Sequence, residues 1–127
     1  MMRDLYSNIS AVQAIAPAVQ TDDVDSDAID LNGSKAVAFI VNTGAIAGDG
    51  DFGVEVEESD ASNSGFTAAD AAFVDTDAPD TLEENSTYRL GYRGNKRYVR
   101  LALTKAGGTS LALGAVAVLD PLDRPVA

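Results

Sequence analysis

The sequence predicts an all-β protein, a single antiparallel β-sandwich or barrel-like domain of about seven or eight short strands with an extended N-terminal arm. Three observations carry the prediction. Apolar and polar residues alternate at period two in Phe52–Glu57 and Thr87–Arg93, which buries one face of a strand and exposes the other. Lys35–Asn42 and Ser110–Leu119 are short apolar runs of the kind that form well-packed strands. Clusters of Gly, Asn, Asp and Pro separate these runs as turns. A length of 127 residues suits one domain, and no repeat, low-complexity tract or linker divides it. The expected organisation is an arm over residues 1–20 and a sandwich body over residues 21–127.

Along the chain, Ala11–Val19 is apolar, but Pro17 disfavours a helix interior and biases Ala16 toward an extended shape. This segment reads as the arm or as an edge strand. Asp22–Asp30 is acidic, and Ala28, Ile29 and Leu31 begin a short strand closed by Asn32-Gly33, the strongest two-residue hairpin signal. Lys35–Asn42 follows as a central strand, and Gly44–Gly50 as a Gly-rich turn leading to the strand at Phe52. Ser59–Gly65 is turn chemistry throughout. Residues 66–80 fit either a strand or a short helix, ended by Pro79. Thr87–Arg93, the turn Gly94-Asn95 and Arg97–Thr104 predict a hairpin. Lys105–Thr109 makes the next turn, and Ser110–Leu119 a last strand before Pro121 and Pro125 stop any ladder.

Composition narrows the chemistry. Cys and His are both absent, which removes disulfides, thiolate nucleophiles, the commonest general base and the usual transition-metal ligands. Catalysis would fall to carboxylates alone, so the expectation is a non-enzyme without a cofactor or a resident metal. The N-terminus carries no uninterrupted apolar segment of the signal-peptide kind, and no stretch approaches the roughly 20 apolar residues of a membrane span. A protein made in a cytoplasm, with no membrane partner, is expected.

The charge is divided rather than dispersed. Residues 1–84 hold 18 acids against two bases, Arg3 and Lys35, whereas residues 85–119 hold six bases and no acid; the whole chain carries −11. Such a split implies a polarised molecule, or a basic strand pair lying against acidic ones. Asp23, Asp25 and Asp27 fall at alternate positions, like the first ligands of an EF-hand loop. Ala28 stands where that loop needs Gly and Ser34 where it needs Glu, so a solvated acidic turn is the better account.

The densest chemical constellation is Tyr88, Arg89, Tyr92, Arg93, Lys96, Arg97, Tyr98 and Arg100. Strand alternation puts Tyr88, Leu90 and Tyr92 on one face and Arg89, Gly91 and Arg93 on the other. Three readings compete: an RNA-binding sheet, a protein-docking face, and a face paired with the protein's own carboxylates. The surrounding negative charge disfavours nucleic acid. Docking, for which Arg and Tyr are favoured anchors, and internal pairing both remain open.

Several of these segments together resemble small proteins encoded beside the major capsid protein in tailed siphophages and prophages. The resemblance rests on Arg3–Tyr6, Val12–Val19, Val41–Gly44, Glu57–Asp60, above all Tyr88–Arg100, and on Gly114–Val118 and Arg124-Pro125. It implies a capsid decoration, or cement, protein that caps the outside of the phage head, commonly as a homotrimer, with the major capsid protein as partner and the outer surface of the virion as its location. On this reading Leu5, Tyr6, Ile9 and Val12 of the arm extend onto neighbouring subunits. Tyr88, Arg89, Tyr92, Arg93, Lys96, Arg97 and Arg100 would contact the capsid or the adjacent protomer. A neck or tail component of the same virion, and a carbohydrate- or surface-binding β module, are the alternatives.

Overall fold

A computed structural model describes residues 5–121, apart from the side chains of Lys35 and Pro121. Arg3, Asp4, Arg124 and Pro125 lie outside the described residues. The fold is all-β and sandwich-like, with two antiparallel sheets and ten strands. The strands are β1 (Ser10–Gln20), β2 (Val24–Asp25), β3 (Ile29–Asp30), β4 (Ser34–Ala47) and β5 (Asp51–Ser59), then β6 (Thr67–Ala68), β7 (Val74–Thr76), β8 (Thr87–Tyr92), β9 (Tyr98–Gly107) and β10 (Ser110–Pro121). Short 3-10 turns occupy Tyr6–Asn8 and Ala71–Phe73. The count exceeds the expected seven or eight because β2, β6 and β7 are pairings of two or three residues, too short to leave a pattern, whereas β3 is the short strand expected at Ile29. Residues 66–80 contain both expected alternatives in sequence, a 3-10 turn between two short strands.

The first sheet runs β1-β10-β4-β8-β7, and the second runs β2-β9-β5-β6 with β3 also on β9. Their inner faces share one core, in which Phe39, Val41, Phe52, Val99, Leu101 and Leu111 are wholly buried. Leu82 closes one end, held by its N–H donating to Phe52 O at 2.8 Å. The Thr43 hydroxyl fastens the same loop by donating to Glu83 O and accepting from the Ser86 N–H.

The arm expected over residues 1–20 is not separate from the body over Ser10–Gln20. Ser10–Gln20 is extended, but it pairs with β10 from Ser10↔Leu119 to Gln20↔Leu111 and buries Ile15, so it is an edge strand of the body. Two register shifts, between Gln13 and Ile15 and between Ile15 and Ala18, bulge it around Pro17. Bulges and a proline blunt an edge against strand addition.

Three expected turns are corrected in their connectivity. Thr87–Tyr92 and Tyr98–Gly107 do not form a hairpin: β8 pairs β4 and β7 in one sheet, while β9 pairs β5, β2 and β3 in the other. Asn32-Gly33 likewise carries the chain from β3 in the second sheet to β4 in the first. The Gly-rich turn expected over Gly44–Gly50 shrinks to Gly48–Gly50, because β4 continues to Ala47. There the chain changes sheets from β4 to β5, directly against the β9–β10 crossing, with Ser110 paired to Ala47 and Gly107 to Asp51. The two crossings form one bent ribbon. Gly108 sits at φ +73°, and a Cβ on it would overlap Asp49 O, so the corner admits no side chain there.

Candidate interaction surfaces

The Arg/Tyr segment is positioned by the crossing from β8 to β9. The expected alternation holds in β8: Tyr88, Leu90 and Tyr92 point into the core and Arg89 points out. Tyr88 and Tyr92 therefore do not offer their rings as surface anchors, which corrects their assignment to a docking face. Their hydroxyls are used internally. Tyr88 Oη accepts from the Glu83 N–H at 3.1 Å. Tyr92 Oη donates to Glu58 Oε1 at 2.6 Å and accepts from the Lys96 N–H at 3.2 Å. Burial and the Glu58 carboxylate push the Tyr92 phenol up to about 12. Gly94 lies over that ring, and a Cβ there would collide with it, so the turn residue is chosen by the tyrosine beneath it.

The cations around this crossing face carboxylates from the acidic part of the chain. Arg93 forms a two-pronged bond with Asp75, at 2.7 and 3.1 Å. Arg97 does the same with Asp30, at 2.9 Å on both nitrogens. Lys96 meets Asp60 at 2.9 Å, and Arg89 meets Asp77 at 3.6 Å. Arg100 is the least exposed of them. It bonds Glu57 at 2.7 Å, lies 3.6 Å from Asp25 and stacks over the Phe66 ring at 4.4 Å. Among the three readings of the basic cluster, internal pairing is the one observed. The Arg97 guanidinium and the Asn32 N–H hold the Asp30 carboxyl down to about 2. The Arg89 backbone N–H and its guanidinium lower Asp77 in the same way.

Most of these pairs are exposed, and each adds little to stability on its own. Each cation of residues 89–100 thus has a carboxylate beside it. Among the described residues no group of three or more acidic ligands is placed to hold a metal ion, and Asp23 instead accepts the Lys105 N–H at 2.7 Å.

The N-terminal candidates are divided. Leu5 and Tyr6 are exposed at 66% and 87%. Ile9 is half-buried, and Val12 lies opposite buried Ala117 on the edge strand.

A surface absent from the expected sites is the outer face of the first sheet over β1, β10 and β4. Pairing carries Val116 beside Ile40 and Val118 beside Ala38, while Ala112 lies beside Val19 of β1. All six side chains point away from the core. Val19 is 64% exposed and Val116 40%. Gly44 and Gly114 leave a shallow trough of about 580 Å³ in this face, bordered by Pro17 and Val19. The signal was present in the sequence: Lys35–Asn42 and Ser110–Leu119 do not alternate, as strands buried on both faces do not. The outer face of the second sheet differs, carrying Glu55, Glu57 and Arg100.

No family model and no curated protein matches this chain.

Proposed function

We propose that this chain is a non-catalytic assembly protein of a virion, a decoration or cement protein that binds the outside of a tailed-phage head and braces contacts between capsomers. The observation that carries the reading is how the surface is divided: the five cations of residues 89–100 are paired with carboxylates of the molecule, while apolar surface at Leu5, Tyr6 and the outer face of the first sheet is left open. A contiguous open apolar face marks a surface that another protein covers. Among the described residues no group of acidic side chains is placed to hold a metal ion, and the chain has neither Cys nor His.

The choice of the capsid as partner rests on the resemblance of Tyr88–Arg100 and the other quoted segments to proteins encoded beside major capsid proteins. Repetition strengthens such attachment, since a shell presents the same site many times and neighbouring copies hold one another in place. Leu5 and Tyr6, just before the paired strand, are the groups assigned to the shell.

The test is reconstitution on purified expanded shells that lack the protein. Saturable co-sedimentation of the full chain is expected, and its absence overturns the reading. Removing residues 1–9, which stops short of the first paired residue Ser10, is expected to weaken attachment at least tenfold. Unchanged attachment would reject the role of Leu5 and Tyr6.

A further inference from the structure

We infer that the outer face of the first sheet is a self-association surface, on which two copies of this chain pack face to face about a twofold axis. The inference rests on reading the chain as an assembly component, but not on the shell being its partner.

The face is mostly apolar, and most of its side chains are Ala or Val. Val19, Ala38, Ile40, Ala112, Val116 and Val118 lie on three adjacent strands, with polar Gln13 and Asn42 among them, Asp120 at one end of β10, and the pairs Arg89–Asp77 and Arg93–Asp75 at the β8–β7 flank. Elsewhere the described surface carries many exposed carboxylates: Asp22, Asp23 and Asp27 before β3, Glu55 on the second sheet, Glu83 and Glu84 at one end. With a net charge of −11, two copies repel each other through almost any approach. The middle of this face, from Ala112 to Val118 on β10, carries no carboxylate and can meet its own copy with Asp120 left at the rim, and an isologous contact requires such a self-complementary patch.

Size agrees. Three strands at about 4.8 Å spacing and about 33 Å in length present roughly 500 Å² per copy, hence roughly 1,000 Å² for the pair, at the lower limit of specific interfaces. Layers of Ala, Gly and Val allow the two sheets to stack at about the 10 Å separation of sandwich cores. Twofold pairing differs from the homotrimer that the resemblance implies, so the measured mass separates the two directly.

Because the acidic surfaces repel while the face itself is apolar, added salt strengthens the pair. Attachment driven by opposite charges would weaken instead.

The experiment is sedimentation equilibrium of the full chain, taken up to about 0.2 mM in low and in high salt. The expected species has twice the monomer mass of 13.1 kDa, and its dissociation constant falls as salt rises. Val116→Glu places a charge on the middle strand and is expected to raise that constant at least tenfold, with circular dichroism reporting the fold. Since the chain has no cysteine, Val116→Cys and Glu55→Cys provide a second readout with a bis-maleimide cross-linker. Efficient cross-linking of Val116→Cys with none of Glu55→Cys supports the face-to-face pair. A monomer at the highest concentration, a trimer, or cross-linking through Glu55→Cys alone overturns it. Shell attachment, assigned to Leu5 and Tyr6, is measured separately by the reconstitution, so failure of the pair and failure of attachment are distinguishable.

Discussion

Replacing Tyr92 by Phe tests whether the crossing between the sheets is held by chemistry or only by packing. The ring is 4% exposed, and its hydroxyl donates to Glu58 Oε1 at 2.6 Å while accepting from the Lys96 N–H at 3.2 Å. The substitution keeps the ring and deletes both bonds. A hydrogen bond to a charged acceptor contributes about 1.5–3 kcal/mol, and half-buried Glu58 recovers part of that from water, so a loss of about 2 kcal/mol is expected. For a domain of this size the midpoint of thermal unfolding should fall by about 5–8 °C. The pH profile gives a second signature. Because the folded phenol titrates at about 12 rather than 10.0, the folded state holds this proton more tightly than the unfolded chain. The stabilisation is full below pH 10 and is lost as pH rises toward 12, a loss that Tyr92→Phe should lack. Urea unfolding at neutral and alkaline pH measures both effects. A neutral-pH change below about 0.5 kcal/mol with an unchanged denaturant slope would refute the bracing role.

Two further perturbations address the corner and the ion pairs. Gly108→Ala forces a Cβ onto Asp49 O at a positive φ and is expected to cost about 3 kcal/mol, whereas Gly107→Ala meets nothing within 4 Å and should change stability by less than about 1 kcal/mol. Paired urea titrations of the two variants check this. Asp30 is held near 2 in the folded state against a reference of 3.8, so its contribution is complete above about pH 4 and lost as pH falls through 2. Asp30→Asn should flatten the acid limb of thermal stability within that window, and a carboxyl titration followed by NMR should place Asp30 below its ordinary value.

The parts of the fold legible in the sequence were those set by neighbouring residues. Alternation in Thr87–Tyr92 placed Tyr88, Leu90 and Tyr92 on one face, and the charge division left pairing of the cations of residues 89–100 with the chain's own carboxylates as one of the open readings, the one observed with partners from residues 25–77. Connectivity was not legible. Gly94-Asn95 and Asn32-Gly33 specify a reversal of the chain, but the same residues serve a hairpin and a crossing between sheets. Which sheet receives the returning strand depends on distant partners, here β4 against β8 and β5 against β9. The openness of the apolar outer face was not legible for a related reason. A non-alternating run such as Ser110–Leu119 states that both faces are apolar, without saying that one of them remains uncovered in the isolated chain.

The central claim is that this protein covers a phage head, and its copy number in purified virions tests it most directly. Quantified against the major capsid protein, the account predicts a ratio near one to one. A few copies per particle would place the chain in the neck or tail, and its absence from the virion would contradict the account outright.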